Sequence, residues 1–190
     1  PFDRNALKKD IVYPPWFNGV WSVKSRDLNN FENKEIEYQA RFKINEENQV
    51  IGDRAFNAFS IGRSILGEQL LSVQDDPKSP NRQLAKFDRQ VFLETKVIGR
   101  NQYYKNESEF FVDELVIQIL HSLDVSRVTQ VETLSKYQLC KLPIINSQDS
   151  SSEGICGEQW QAIYPAPGES IALKPQKTSH YQLTFKRNLI

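Results

Sequence analysis

Methionine is absent from the 190 residues, and cysteine and histidine occur twice each. Neither sign of charge is in excess, since 24 Lys and Arg face 24 Asp and Glu. Zero net charge leaves no fixed positive field to displace counterions from phosphates, which excludes a generalised nucleic-acid or polyanion binder. Long hydrophobic runs are missing too. The longest near-apolar stretch, residues 115–120, has six members, against the ~20 that a membrane-spanning helix needs. Without a CxxC pair, zinc and thioredoxin-like readings have no footing. No nucleophile elbow, Walker loop or His-Glu-x-x-His spacing occurs. Imidazole chemistry would have to come from His121 or His180. His121 ends a strand-like run and His180 alternates onto a polar strand face, so both are expected at the surface.

What is present reads as β-structure. Over residues 35–44, Ile36, Tyr38, Ala40, Phe42 and Ile44 share one face while Glu35, Glu37, Gln39, Arg41 and Lys43 share the other. Such strict alternation predicts a half-buried strand about 33 Å long. A turn at 45–48 and a returning strand over 49–60 would make it a long hairpin. Further strand-like runs fall at 69–74, 83–87, 91–98, 108–121, 127–142, 159–164 and 180–188. Turn clusters at 75–81 and 99–101 divide them. Helix is confined to residues 62–66 and a turn near the N-terminus. Eight to ten strands with almost no helix predict an antiparallel up-and-down meander, which loses its edges by closing into a barrel. Residues 1–12 read as an N-terminal extension and 13–190 as one domain, with loops at 147–154 and 165–178.

Cys140 and Cys156 flank the polar, Ser-rich stretch 147–154. They are placed as a disulfide would be, closing that loop with a gain of about 3 kcal/mol; two unrelated buried thiols are the alternative. The polar start at Pro1 fits a cytosolic or trimmed chain, or a mature protein whose targeting segment was removed. The missing methionine favours the last.

The first strand carries Gly19-Val20-Trp21, and the last carries Tyr181 to Arg187. Period-2 alternation puts Arg187 on the apolar face with Tyr181, Leu183 and Phe185, where a Trp face is a suitable partner. First and last strands adjoin in a closed meander, so Trp21 and Arg187 are expected to meet at its closed end. Gly19, Trp21 and Arg187 resemble the signature of the lipocalin and wider calycin superfamily, which implies a lipocalin-like barrel and a plugging role for these residues.

A second resemblance covers most of the chain. Residues 13–21, 53–57, Ser60-Ile61, Leu66-Gly67, 131–133, Asp76-Pro77, 80–82, Gln159 and Tyr164 look like landmarks of a family found in cyanobacteria and plastids. Its plastid members are similar to thylakoid-lumen proteins, and it has no assigned reaction. The resemblance implies a cleaved targeting segment, an oxidising compartment, and a lumenal protein peripheral to the membrane. The Ser-rich stretch before Cys156 looks peculiar to this chain, so the disulfide expectation rests on its placement alone.

Together these give three expectations. The first is a non-catalytic extrinsic or assembly-associated subunit of a photosynthetic membrane complex, photosystem II above others, binding photosystem subunits by protein contact. The second is a carrier of pigment, lipid or carotenoid, which needs an interior not filled by Phe42, Phe56, Phe92 and Phe185. The third, by fold analogy alone, is a bilin-lyase-like enzyme. No catalytic residue, metal or obligatory cofactor is expected. Candidate docking loops are Asp75, Asp76, Pro77, Pro80 and Arg82, and Pro165 with Pro167, whose rings lower the ordering cost of binding. Asp53 and Arg54 face opposite ways as strand residues, each able to line the barrel mouth or to pair with a neighbouring strand. Asp113 and Glu114, adjacent on a strand, cannot form a carboxylate dyad. The neutral total also hides a split: residues 1–105 carry 17 basic and 14 acidic groups, and residues 106–190 carry 7 and 10.

Overall fold

The computed structural model describes residues 10–29, 35–143, 151–167 and 174–188. Among these residues eleven strands and one α-helix follow in chain order: β1 (Val12–Tyr13), β2 (Gly19–Asp27), β3 (Glu35–Ile44), β4 (Val50–Gly52), α1 (Arg54–Leu66), β5 (Leu70–Asp76), β6 (Ser79–Phe87), β7 (Phe92–Asn106), β8 (Glu109–His121), β9 (Ser126–Pro143), β10 (Ser151–Tyr164) and β11 (Lys177–Arg187). All pairings are antiparallel, in one curled, barrel-like sheet of order β1-β4-β3-β2-β11-β10-β9-β8-β7-β6-β5. The all-β, antiparallel expectation holds, and the first and last long strands adjoin, with Trp21 opposite Arg187.

Several boundaries move. Residues 49–60 are not a returning strand: β4 pairs with β3 over only three positions, and α1 begins at Arg54, eight residues before the expected helix. Apolar residues at 55, 56, 58, 59 and 61 recur at i, i+3 and i+4, and that spacing serves a helix face rather than a strand. The cluster 99–101 is not a turn. It carries a bulge between Val97 and Gly99, and β7 runs on to Asn106. Before the bulge Val97 points inward; after it the parity flips, and Arg100 points inward instead, 3% exposed. The tenth strand starts at Ser151 rather than Gln159. Residues 15–17 form a turn of 3-10 helix ahead of β2. Part of the expected N-terminal extension belongs to the fold, because Ile11 is buried in the core and Val12 pairs with Ile51.

Strand pairing among the described residues leaves β1 and β5 at the ends of the sheet, and α1 packs between β3 and β5. The edge of β3 above β4 would expose unpaired backbone groups. The helix satisfies them. Asn57 Oδ1 accepts from Arg41 N–H at 2.7 Å and its amide donates to Arg41 O at 3.1 Å, while Ser60 Oγ accepts from Gln39 N–H at 2.9 Å. On the far side Arg63 donates to Leu70 O, and Gly62 leaves room for the Leu70 side chain: a Cβ there would lie 2.5 Å from Leu70 Cδ2. The other seam is closed by side chains. Val12 N–H donates to Gln102 at 2.9 Å, Tyr104 OH donates to Val12 O, and the Trp16 indole donates to Glu107 O at 3.0 Å.

The core sits at one end. Phe17, Phe110, Ile155 and Val23 are fully buried, with Trp21, Phe42, Tyr137, Leu183 and Phe185 around them. Phe17 is at its centre, with ring centroids of Phe42, Tyr137 and Phe185 at 4.7, 5.2 and 6.0 Å. Edge-to-face and tilted packing of this kind adds about 0.5–1.5 kcal/mol per pair beyond the area buried.

Candidate functional site

At the closed end, Gly19, Trp21 and Arg187 come together as the sequence implied. The Arg187 guanidinium lies 4.3 Å over the Trp21 ring, and its two terminal nitrogens donate to Asn18 O at 2.7 Å and Trp16 O at 3.2 Å. Trp21 is 2% exposed and donates from its indole to Phe17 O at 2.7 Å. Gly19 is required twice over: its φ is +122°, and a Cβ would lie 2.8 Å from Arg187 Nη1. Arg187 itself is exposed, so it caps the tryptophan from the solvent side.

A second polar group lies on the inner face, where α1, the N-terminal segment, β7 and β8 meet. Arg100 Nη2 and Nε reach Glu114 Oε1 at 2.8 and 2.9 Å, and Arg100 Nη1 lies 3.5 Å from Asp10 Oδ1. Arg54 Nη1 lies 3.3 Å from Asp10 and 3.6 Å from Glu114. Two cations and two anions thus tie the helix to the wall beside a cavity of about 190 Å³ lined by Tyr13, Asn57 and Gln83 among others. Asp53 and Arg54 are not strand residues facing opposite ways: β4 ends at Gly52 and Arg54 opens α1. Asp53 stays outside, 2.7 Å from Arg41 and 3.4 Å from Lys43. Burial pushes its carboxyl up, but the Arg41 hydrogen bond and the Lys43 charge outweigh this and hold it below the usual carboxylate range. The residue thus takes the ion-pair role.

The candidate docking segment 75–82 forms the tight turn and flanks of the β5–β6 hairpin. Asp75 and Asp76 end β5, Pro77 sits in the turn, and Arg82 lies in β6; Pro80 falls in β6 too, its side chain outside what the structure describes. Its charges are engaged within the hairpin and with β7. Asp76 accepts from Lys78 N–H at 2.8 Å, Arg82 reaches Asp76 at 3.1 Å and Glu94 at 2.8 Å, and Asp75 accepts from Gln83. Pro165 and Pro167 follow β10, half-buried and exposed respectively. Cys140 and Cys156 form a diagonal disulfide between β9 and β10, two residues out of register, with Cys140 opposite Gly154 and Cys156 opposite Gln138.

Sequence reasoning missed the outer face of the long strands. There Asp113, Leu134, Trp160 and His180 form one cross-strand row from β8 to β11. Leu115, Glu132, Ala162 and Thr178 form the next row. The two rows border a groove of about 550 Å³ whose lining includes Asp113, Glu132, Leu134, Trp160 and His180. Trp160 is 38% exposed and Leu134 44%. The His180 ring stacks on Trp160 at 4.8 Å, and its Nε2 lies 3.2 Å from Glu158. The Tyr164 hydroxyl donates to Glu132 at 3.0 Å. Asp113 Oδ1 is buried with no hydrogen-bond partner among the described residues. Burial, then the charges of Glu132 and Glu114, raise the Asp113 carboxyl above its ordinary range. Asp113 and Glu114 do point to opposite faces, one to this groove and one to the inner network. The missed signal was Leu134 sharing a face with Glu132 and Lys136, and Trp160 sharing one with Glu158, a mixed face that becomes legible only once cross-strand register is known.

Among the described residues no group of three or more His, Cys, Asp or Glu is placed to hold a metal ion, and no helix is long and apolar enough to cross a membrane. No curated protein and no solved structure matches the chain. Residues 25–189 match the model of a family described as a domain of unknown function, DUF6816, and the chain belongs to that family.

Proposed function

We propose that this protein acts by contact with other proteins and not by catalysis, as an extrinsic or assembly-associated subunit of a photosynthetic membrane complex in the thylakoid lumen, with photosystem II as the first partner to test. The observation that carries the contact reading is the distribution of aromatics. Inside, Phe17, Phe42, Phe110, Tyr137 and Phe185 pack against one another in the core. Outside, Trp160 and Leu134 remain exposed beside two carboxylates on a rigid sheet. A rigid scaffold with exposed aromatics suits protein recognition, where Trp and Tyr anchor binding energy. The disulfide accords with an oxidising compartment.

A carrier of pigment, lipid or carotenoid would need an apolar chamber. Of the four aromatics expected to fill the interior, Phe42 and Phe185 are core residues, 7% and 4% exposed, while Phe56 on α1 and Phe92 at the start of β7 are half-buried outside the core cluster; the 190 Å³ cavity on the inner face is bordered by charged groups. Packing therefore favours the contact reading over the carrier and over a bilin-lyase-like enzyme. The test is native gel electrophoresis of thylakoid membranes solubilised in mild detergent, probed for this chain. It is expected on a photosystem band. Free migration near its own 22.0 kDa, or visible absorbance and extractable lipid in the purified protein, would overturn the proposal.

A further inference from the structure

The outer groove is specific enough to define the chemistry of what binds it. Asp113 and Glu132 approach diagonally across β8 and β9, since Asp113 is opposite Leu134 and Glu132 is opposite Leu115. Neither has an ion-pair partner among the described residues. Nearby cations are committed elsewhere: Lys136 to Glu109 at 3.6 Å, and Arg100 to Glu114 on the opposite face; the His180 ring is taken up by Trp160 and Glu158. One oxygen of Asp113 is buried with no donor among the described residues, and a buried acceptor left in that state is costly. Beside this unneutralised pair stands an apolar wall, Leu134, Trp160 and Ala162, in a groove of about 550 Å³.

We propose that this groove receives a basic side chain of a partner protein, its aliphatic stem along Leu134 and Trp160 and its cationic head between Asp113 and Glu132. Long basic side chains have this shape, an apolar stem ending in a charge. A guanidinium suits it best, because its planar fork can donate to both carboxylates at once. The acidic excess of residues 106–190, 10 acidic groups to 7 basic, would favour approach of such a partner. The proposal rests on the contact reading but does not depend on the compartment.

The test titrates the ¹⁵N-labelled full chain with Nα-acetyl-arginine methylamide and follows amide and indole cross-peaks. Saturable shifts are expected at Asp113, Glu132, Leu134 and the Trp160 indole, weakening as salt rises. The uncharged citrulline analogue should bind at least tenfold more weakly. Asp113→Asn with Glu132→Gln should abolish the shifts while leaving the rest of the spectrum in place. The proposal is overturned by no saturable shift at the groove, by equal shifts with citrulline, or by the same shifts from calcium chloride at matched ionic strength. If the double variant is itself perturbed, the wild-type titrations still decide. The two readings fail separately. Arginine binding without a photosystem band removes the complex assignment and keeps the groove; a band that survives the double variant does the reverse.

Discussion

Replacing Arg187 by Met keeps the stem over Trp21 and removes the guanidinium, so its effect isolates what the cap contributes. Three interactions are lost: the stack at 4.3 Å and the donations to Asn18 O and Trp16 O at 2.7 and 3.2 Å. Arg187 is exposed, so each is discounted for solvent: about 0.5–1 kcal/mol for the cation–π contact and about 0.5–1 kcal/mol for each hydrogen bond. The sum is about 1.5–3 kcal/mol, or roughly 3–12 °C in Tm at the ~2–4 °C per kcal/mol expected for a domain of this size. Differential scanning calorimetry reads it directly. Arg187→Lys should restore less than half, because one ammonium cannot both lie flat on the ring and reach two carbonyls. Gly19→Ala supplies an internal check. Its positive φ and the Cβ position 2.8 Å from Arg187 Nη1 predict a loss of about 1–3 kcal/mol, and the steric part should vanish when Arg187 is already Met. A Met variant within 0.5 kcal/mol of wild type, or a Lys variant equal to Arg (both thresholds follow from the ordinary spread of surface substitutions, about ±0.5 kcal/mol), would refute the reasoning.

Reduction of Cys140–Cys156, which closes a 16-residue separation, should lower stability by about 3 kcal/mol, read as a fall in urea midpoint with reductant that a Cys140→Ser, Cys156→Ser double variant does not show. Asn57→Ala should destabilise by about 1–2 kcal/mol, since it strips a donor and an acceptor from the edge of β3, and hydrogen exchange at Arg41 should accelerate. Glu114→Gln leaves the Arg100 guanidinium, 3% exposed, short of its closest charge, and should cost about 2–4 kcal/mol given that Glu114 is only partly buried. Asp113→Asn should act oppositely and depend on pH. A raised carboxyl favours its protonated form in the fold, so wild type gains stability as pH falls through that raised value. The variant should therefore melt higher than wild type at pH 7, with the gap closing toward the ordinary carboxylate range.

The strand with strict alternation was legible because one face turns inward over most of its length; β3 matches its expected bounds of 35–44, with Ala40 and Phe42 buried, Ile36 and Tyr38 half-buried and only Ile44 exposed on that face. Trp21 and Arg187 were legible for the same reason, since the parity of the last strand left the arginine needing a partner. Helix α1 was hidden by its own chemistry. Asn57, Ser60 and Gly62 weaken helix propensity, yet each sits where it must satisfy β3 or admit Leu70. The bulge at Gly99 defeated local reading more completely. Gly-Arg-Asn looks like a turn, and only the pairing partner shows that the strand continues with its faces exchanged. The outer groove could not be read at all, because it is assembled from four strands whose register is set by turns and packing far from the groove.

That bulge explains how one dipeptide serves two faces without conflict. Arg100 faces inward only because an extra residue precedes it, and inward is where Glu114 lies. With Glu114 committed to holding α1 against the wall through Arg54 and Arg100, the alternation of β8 forces Asp113 to the outside. There it meets Glu132 instead of a cation, and its burial works against its charge. An acidic side chain held in that state gives nothing to the isolated fold, which is why its neutralisation should stabilise where loss of Glu114 should not. The contrast predicted for two adjacent residues, one lowering stability when neutralised and one raising it, would separate the surface that holds α1 to the wall from the surface proposed for a partner.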